Sequence, residues 1–198
     1  METISEMAAF TFSSSYFPEN FLLEYDPTLV LPPDDVSVTM GIDAVRRVDM
    51  GRLAKQMDGA YPMTFESVIE PRFLDAGCGS GVIAVSVAGE LQRSSVPPAK
   101  IVCFDLSPDA VACSNANFDR ISCYDVGLRA IQGDWNDKEF LASLGTFDEI
   151  LLNPPYLPPT EKLEGIYEQT PETATTAKDV MEGMIDAVGN LAPLLRPM

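Results

Sequence analysis

The sequence predicts an α/β fold built on a parallel sheet, and three features of residues 71–198 predict it. Short apolar segments alternate with helical patterns, a glycine-rich loop follows the first apolar segment, and acidic residues end or follow several of the others. Alternation of strands and helices is typical of parallel sheets, whose crossover connections are right-handed. We therefore predict one domain in residues 71–198 and a separate region before it.

The strands and helices of this domain are predicted from apolar runs and capping residues. Ser107 and Pro108 form an N-cap and first-turn pair that opens the second helix. A weak third strand precedes a short helix, and a long helix lies near the end of the chain. The predicted strands are 73–75, 101–105, 128–131 and 147–152, and the predicted helices are 82–91, 107–118, 137–144 and 175–195.

Residues 1–70 are predicted as an N-terminal region, a candidate substrate-recognition or helical segment. Aromatic residues and four prolines interrupt residues 10–33, so no strand or helix is predicted there. Apolar positions in residues 42–57 follow a helical period and predict one amphipathic helix. Its polar side is expected to carry Arg46, Arg47, Arg52 and Lys55.

Composition and charge argue against several classes of protein. The chain is 46% hydrophobic, which is typical of a globular protein, and no apolar run reaches the length of a membrane span. Its first residues are acidic, unlike those of a signal or transit peptide. The 13 Lys and Arg residues against 30 Asp and Glu residues give a net charge of −17, which repels nucleic acid. This charge favours a protein or small-molecule partner and suits a cationic ligand.

Cysteine and histidine usage argues against a metal site. The chain has four cysteines, none of them in a C-x-x-C pair, and it has no histidine. Zinc binding and histidine-based catalysis are therefore not expected, and no metal is predicted. Thiols without a pairing pattern are typical of reduced proteins in the cytoplasm, where we expect this chain to be located.

A glycine-rich loop, Asp75-Ala76-Gly77-Cys78-Gly79-Ser80-Gly81, lies between the first strand and the first helix. Its glycines let the backbone approach a ligand, and the helix N-terminus offers free N–H groups. A dinucleotide and S-adenosylmethionine both suit such a loop, and a turn without a ligand is the alternative. The acid before the loop would oppose a pyrophosphate but attract an ammonium group, or hold water beside one. The G-x-G-x-G spacing also differs from that of dinucleotide loops. Both features favour S-adenosylmethionine, with contacts from Asp75, Gly77, Gly79 and Gly81.

Residues after the second and third strands extend this predicted site. Asp105 is expected to accept hydrogen bonds from both ribose hydroxyls, as an acid at this place does in nucleotide-binding folds, and capping beside Ser107 is the alternative. Asp134 is expected to accept from the adenine amino group. Trp135 is expected to cover the adenine ring, and packing in the core is the alternative for its side chain.

The segment Asn153-Pro154-Pro155-Tyr156 follows the fourth strand and is the most informative feature of the chain. Its prolines fix φ and remove two backbone donors, so a regular strand ladder cannot continue here. The stiff turn presents an amide oxygen, a carbonyl and an aromatic face, which together suit the gripping of a planar NH₂ group. Asn153 is also expected to lie near the cofactor. Tyr156 is expected to pack against the bound groups, or simply within the protein.

Four segments resemble a known family in their order and spacing: residues 73–81, 105–110, 133–135 and 153–156. Together they resemble the HemK-type N5-glutamine methyltransferases, which methylate the Gly-Gly-Gln glutamine of peptide-chain release factors. The resemblance implies a Rossmann-like class I methyltransferase sheet, S-adenosylmethionine as cofactor, and methyl transfer to a glutamine amide whose hydrogens Asn153 and Pro154 accept. It also implies a protein partner, a release factor, and no membrane.

The chain departs from that family in several places. Residues 1–70 do not clearly resemble its helical N-terminal domain, and residues 173–179 stand where it tends to have a glycine-rich stretch. The family's sheet has further strands, so this sheet is expected to be truncated after the fourth strand and the following helix, with an exposed apolar edge.

Two alternatives to a glutamine methyltransferase follow from these features. A nucleic-acid adenine-N6 or guanine-N2 methyltransferase fits the Asn-Pro-Pro-Tyr turn, since such enzymes grip an exocyclic amine, but it does not fit the net charge of −17. A non-catalytic partner protein fits the exposed edge.

Overall fold

The computed structural model describes residues 7–12, 22–57, 70–94, 99–121, 127–154 and 180–196. Two sheets and five α-helices are formed by these residues. In chain order the elements are β1 (Ala8–Thr11), β2 (Leu22–Tyr25), α1 (Asp35–Met57), β3 (Arg72–Ala76), α2 (Val82–Leu91), β4 (Lys100–Asp105), α3 (Pro108–Arg120), β5 (Gly127–Gln132), α4 (Lys138–Leu144), β6 (Glu149–Leu152) and α5 (Val180–Leu191), followed by a 3₁₀ turn (Ala192–Leu194).

The larger sheet has four strands in the order β5-β4-β3-β6, and every neighbouring pair is parallel. Within this sheet β3 comes first in the chain, β4 then pairs beside it, and β5 pairs beside β4. The chain then returns to the other side of β3, where it forms β6. The direction of winding therefore reverses at β3. In open α/β sheets a crevice forms at such a reversal, outside the carboxyl ends of the strands, and ligands bind there.

Both faces of this sheet are covered, as is usual for parallel strands. Phe73 and Leu74 are neighbours in β3 and point to opposite faces. Phe73 belongs to the core shared with α1, α2 and α3, whereas Leu74 belongs to the core shared with α4 and α5. None of the described helices is both long and apolar enough to cross a membrane.

The predicted α/β fold with a parallel sheet is confirmed, and the described strands and helices from residue 71 onward lie close to their predicted positions. Strand β6 is shorter than predicted, because Phe147 instead forms a bridge with Leu195 beside the sheet. The last helix ends at Leu191 rather than at residue 195, because the 3₁₀ turn that follows contains Pro193, which has no N–H to donate. Residues 175–179 of the predicted helix lie outside the described residues.

Helix α1 begins at Asp35, whereas the sequence predicted a helix from residue 42. Its start is stabilised by Asp34, whose Oδ1 accepts a hydrogen bond of 2.7 Å from the backbone N–H of Ser37. The helix packs closely on α2, since a Cβ atom at Gly41 would lie only 2.7 Å from the carbonyl oxygen of Ile83. The described part of the N-terminal region thus shares a core with the sheet domain, and the domain boundary at residue 70 stays a prediction.

The polar side of α1 forms ion pairs with its neighbours. Arg47 binds both carboxylate oxygens of Glu149 on β6, at 3.1 and 3.0 Å. Arg46 binds Glu90 on α2 at 3.1 Å. The side chain of Arg52 is half-buried, and that of Lys55 lies outside the described side chains. The Arg47 pair thus connects α1 to β6, and the Arg46 pair connects it to α2.

Strands β1 and β2 pair antiparallel, and the sequence analysis did not predict them. Each has only four residues. Their position depends on Asn117 of α3, whose Oδ1 accepts from the N–H of Glu24 and whose Nδ2 donates to the Glu24 carbonyl, both at 2.9 Å. Such a long-range contact leaves no local pattern in the sequence.

Candidate functional site

A cleft of about 510 Å³ lies at the carboxyl ends of the strands, where the winding of the sheet reverses. Its volume is in the range of small-molecule sites. The glycine loop, the turns after β4 and β5, and the start of the Asn-Pro-Pro-Tyr segment all contribute to its walls. An N-terminal stretch, residues 29–33 with Ser37, forms the remaining side. The cleft therefore brings together segments that are far apart in the sequence.

The glycine loop adopts a backbone that side chains disfavour. Gly77, Gly79 and Gly81 have φ values of 78°, 53° and 84°, in the left-handed region. The N–H groups of Gly77 and Cys78 both donate to the carbonyl oxygen of Phe104, at 2.8 and 3.1 Å, which ties the loop to β4. A Cβ atom at Gly79 would meet nothing within 4 Å, so its backbone is open to the cleft.

Gly81 has a different role from the other two glycines. It does not line the cleft, and a Cβ atom there would lie 2.7 Å from the ring of Phe118 and 3.1 Å from Oγ of Ser114. Its lack of a side chain lets α3 pack against the start of α2. Gly81 therefore lies outside the cleft wall that contains Gly77 and Gly79. A contact between Gly81 and a ligand stays a prediction.

Two buried residues of α3 hold the glycine loop from behind. Ser114 donates from Oγ to the carbonyl oxygen of Gly79, and Asn117 donates from Nδ2 to that of Ser80, each at 2.9 Å. Both side chains are fully buried, so these bonds satisfy groups that have no access to water. These contacts were not predicted from the sequence, although two polar residues three positions apart, on a helix face that also carries Phe118, indicate a buried polar contact.

Asp105 ends β4 and accepts two hydrogen bonds from the backbone. Its Oδ2 accepts from Gly79 N–H and its Oδ1 from Ser107 N–H, both at 2.9 Å. The capping alternative is therefore part of what this side chain does. A carboxylate oxygen has two lone pairs, so each oxygen can still accept a hydroxyl hydrogen from a ligand in the cleft.

Asp134 and Trp135 lie together at the cleft wall after β5. Oδ1 of Asp134 accepts from Asn136 N–H at 2.8 Å, which closes a tight turn. Trp135 is half-buried and packs against the core on the Leu74 side of the sheet. Its ring comes within 3.6 Å of the Cβ position of Gly77, so it also borders the glycine loop. Core packing and a place beside a ligand are thus compatible for this tryptophan.

Asp75 lies beneath the loop rather than in the cleft wall, and it is only 1% exposed. Its Oδ2 accepts from Ala84 N–H at 3.1 Å, while its buried Oδ1 has no hydrogen-bond partner among the residues that the structure describes. Burial raises the pKa of Asp75 to about 7; the Ala84 hydrogen bond lowers it, and the Asp105 carboxylate raises it further. The predicted contact between Asp75 and a ligand stays a prediction.

Asn153 and Pro154 border the cleft from the end of β6. Asn153 donates from Nδ2 to Oγ of Ser37 at 3.1 Å. Ser37 was not among the predicted site residues, because nothing local indicates that the start of α1 meets the end of β6. Tyr156 lies outside the described residues, so its predicted role stays a prediction.

The charge of the cleft is negative. Asp105, Asp109 and Asp134 line it, and no Lys or Arg is among the described residues of its wall. Such a field attracts cations and repels phosphate groups. Among the described residues no cluster of potential metal ligands is found.

The cysteine thiols near the site are poor nucleophiles. Cys78 lines the cleft, and burial raises the pKa of its thiol well above the usual range. The Asp75 carboxylate raises this pKa as well, whereas a hydrogen bond from Ser114 lowers it. Burial also raises the pKa of the Cys103 thiol. Since the thiolate is the reactive form, covalent catalysis by these residues is disfavoured.

A family model described as the methyltransferase small domain matches residues 47–183. The match covers the glycine loop, the strands of the parallel sheet and the Asn-Pro-Pro-Tyr segment. The chain therefore belongs to the methyltransferase small domain family.

Curated relatives confirm the resemblance to the HemK-type enzymes. The chain is 40% identical over 87 residues to the release factor glutamine methyltransferase of Bordetella pertussis, covering 44% of this chain and 28% of that protein. It is 33% identical over 120 residues to the release factor glutamine methyltransferase of Escherichia coli K12, covering 59% of this chain and 39% of that protein. It is 28% identical over 139 residues to the corresponding enzyme of Corynebacterium glutamicum, covering 68% of this chain and 47% of that protein. The chain spans less than half the length of each of these relatives.

Two solved structures that are described as methyltransferases have partial similarity to this chain. An O-methyltransferase of Bacillus cereus in complex with SAH matches with a TM-score of 0.43 and 14% identity, over 85% of this chain and 65% of that one. An SAH-bound methyltransferase of Podospora anserina matches with a TM-score of 0.32 and 32% identity, over 40% of this chain and 32% of that one.

Proposed function

We propose that this protein transfers a methyl group from S-adenosylmethionine to the side-chain amide nitrogen of a glutamine in a protein. The observation that carries the proposal is a single cleft in which the glycine loop and Asp105 lie on one side and Asn153 with Pro154 on the other. The first set suits a methyl donor and the second suits an amide acceptor. Their common cleft allows donor and acceptor to meet.

The donor side of the cleft fits S-adenosylmethionine better than a dinucleotide. Gly77 and Gly79 allow the backbone to approach a ligand, and Asp105 can accept from ribose hydroxyls. When bound, S-adenosylmethionine would supply an electrophilic methyl group and a positive charge. Three aspartates line the cleft and no described Lys or Arg does, which favours a cationic ligand and disfavours a pyrophosphate.

The acceptor side fits a planar amide. The nitrogen of a glutamine amide is a poor nucleophile because its lone pair is delocalised into the carbonyl. Oδ1 of Asn153 and the carbonyl oxygen of Pro154 would accept hydrogen bonds from its two N–H groups and hold the nitrogen in line with the methyl group. As the new N–C bond forms, the S–C bond of the donor would break to leave S-adenosylhomocysteine, and one amide proton would pass to water. Positioning and electrostatics of this kind lower a barrier without a strong base, which suits a chain without histidine.

The substrate class follows from the relatives and from charge. The relatives named above are release factor glutamine methyltransferases, so a release factor with a Gly-Gly-Gln motif is the proposed partner. The activity would then serve translation termination in the cytoplasm. The net charge of −17 supports a protein acceptor over a nucleic acid.

A methyl-transfer assay tests the proposal. The purified chain is incubated with methyl-labelled S-adenosylmethionine and a release-factor domain containing Gly-Gly-Gln, with duplex DNA and structured RNA in parallel. We expect label on the protein alone, and none when its Gly-Gly-Gln glutamine is replaced by alanine. Label only on nucleic acid would support the adenine-N6 or guanine-N2 alternative instead. No label on any acceptor would contradict the proposed activity of this chain and favour a non-catalytic partner protein.

A further inference from the structure

We infer that Ser37 is a positioning residue for methyl transfer, because it holds the amide of Asn153 with its oxygen available to the acceptor. The inference rests on the proposed function and deepens it. It concerns a residue of the N-terminal region, which the motifs of the methyltransferase domain do not include.

The contact between the two side chains is direct. Nδ2 of Asn153 donates to Oγ of Ser37 at 3.1 Å, across 116 positions of the sequence. Ser37 is 3% exposed, and both residues line the same cleft. Because the nitrogen of the Asn153 amide faces Ser37, the oxygen Oδ1 lies on the opposite side of the amide group.

Orientation matters because the two ends of an asparagine amide have nearly the same shape and opposite hydrogen-bonding roles. With Oδ1 toward the acceptor, Asn153 accepts a hydrogen from the substrate NH₂ group. With Nδ2 toward it, two donors would face each other and the acceptor nitrogen would not be held in line. In the structure the Ser37 hydroxyl oxygen accepts from Nδ2, so this contact holds the amide in the orientation that turns Oδ1 away from Ser37.

The helix that carries Ser37 is held in place at two points. Ser37 N–H donates to Oδ1 of Asp34 at 2.7 Å, which fixes the first turn of α1. The helix is joined to β6, the strand that ends before Asn153, by the ion pair between Arg47 and Glu149 at 3.0 Å. The hydrogen bond between Asn153 and Ser37 is thus a second connection between α1 and the segment that ends in β6 and Asn153.

Kinetics on matched serine variants tests this role. Ser37→Ala removes the hydroxyl, whereas Ser37→Thr keeps a hydroxyl on the same β-carbon. Ser86→Ala is the control, since Ser86 is also a fully buried helical serine but its Oγ donates to the carbonyl of Val82 and does not reach the cleft. For Ser37→Ala we expect kcat to fall about tenfold, the value of one hydrogen bond, with the Kd for S-adenosylmethionine changed less than about twofold.

The threonine and control variants show whether the loss of kcat is due to the Ser37 hydroxyl itself. Ser37→Thr should recover most of kcat, and Ser86→Ala should keep the parental value. An unchanged kcat in Ser37→Ala would overturn the inference, as would an equal loss in Ser86→Ala.

A readout without an acceptor separates this inference from the proposed function. In protein labelled with ¹⁵N-asparagine, the Asn153 side-chain signal is identified by its loss in Asn153→Ala. Its NH₂ protons should exchange with water faster in Ser37→Ala than in the parent or in Ser86→Ala. Failure of the parent to methylate any acceptor would contradict the proposed function, while this spectrum would still decide whether Ser37 holds Asn153. An Asn153 signal unaltered by Ser37→Ala would overturn the inference.

Discussion

The backbone N–H of Gly79 donates a hydrogen bond of 2.9 Å to Oδ2 of Asp105, which joins the glycine loop after β3 to the carboxylate that ends β4. The other oxygen of Asp105 accepts from Ser107 N–H at the start of α3. One side chain therefore connects two segments of the cleft wall. The hydrogen bond between Gly79 and Asp105 therefore joins the backbone of the glycine loop to one of the carboxylates that line the cleft.

Replacement of Asp105 should weaken binding of S-adenosylmethionine. Asp105→Ala removes the acceptors for the ribose hydroxyls and leaves Gly79 N–H without its partner, so we expect a loss of about 1.5–3 kcal/mol in binding free energy. Asp105→Asn keeps one oxygen and should lose less. Calorimetric titration of both variants measures the difference, with circular dichroism to confirm that they are folded. Parental affinity in a folded Asp105→Ala protein would remove this residue from the site.

Replacement of Gly79 should affect binding more than folding. A side chain at φ 53° is strained, and its Cβ would enter open space at the cleft wall, so Gly79→Ala should cost about 1–2 kcal/mol of stability and weaken cofactor binding about tenfold or more. Gly79→Val should weaken both further, since a branched side chain tolerates this φ poorly. Gly51→Ala is the control, because that glycine lies in α1 with open space around it. Undiminished affinity in Gly79→Ala would make the loop a structural turn only.

The buried carboxyl of Asp75 should make stability depend on pH. Burial raises its pKa from 3.8 to about 7, so the folded protein keeps its proton where the unfolded chain has lost it. Its stabilising contribution is complete below about pH 4 and is lost as pH rises through about 7. As pH rises from about 5 to 8, the unfolding free energy of the parent should therefore fall by roughly 2–3 kcal/mol more than that of Asp75→Asn.

Urea denaturation at several pH values measures this effect of Asp75. The control is Asp119→Asn, which removes one charge from an exposed position on α3. Parallel curves for the parent and Asp75→Asn would show that the buried carboxyl does not titrate in this range.

Asn153→Ala should separate binding from turnover. The proposed cofactor contacts lie mainly on the glycine-loop side, so the affinity for S-adenosylmethionine should stay near the parental value. Turnover should fall about 100-fold or more, because the acceptor nitrogen is no longer held in line. Single-turnover methyl transfer measures this, with Asn115→Ala on α3 as the control, since that side chain binds the backbone of Ala130 outside the cleft wall. Equal turnover by parent and Asn153→Ala would exclude an acceptor role for this side chain.

The features that the sequence predicted well depend on local chemistry. Ser107 caps α3 and Asp137 caps α4, and both helices lie close to their predicted positions. The left-handed φ angles of Gly77, Gly79 and Gly81 match what a glycine loop of this spacing indicates. Each of these signals is confined to a few neighbouring residues, so it can be interpreted without knowledge of the rest of the fold.

The features that the sequence did not predict depend on contacts between distant residues. Strand β2 is held by Asn117 and Asn153 is held by Ser37, 93 and 116 positions apart respectively. The burial of Asp75 against the N–H of Ala84 was likewise not predicted. Burial and long-range pairing are set by the packing of α1, α2 and α3, which no short motif encodes.

Binding of S-adenosylmethionine to the 198-residue chain is the most direct test of the central claim, that the cleft at the winding reversal is a methyl-donor site. Isothermal titration calorimetry should show one site per chain, competition by S-adenosylhomocysteine, and weaker binding in Asp105→Ala. A dinucleotide titrated in parallel should give no heat. Absence of S-adenosylmethionine binding to the folded chain, or binding that Asp105→Ala leaves intact, would contradict the account.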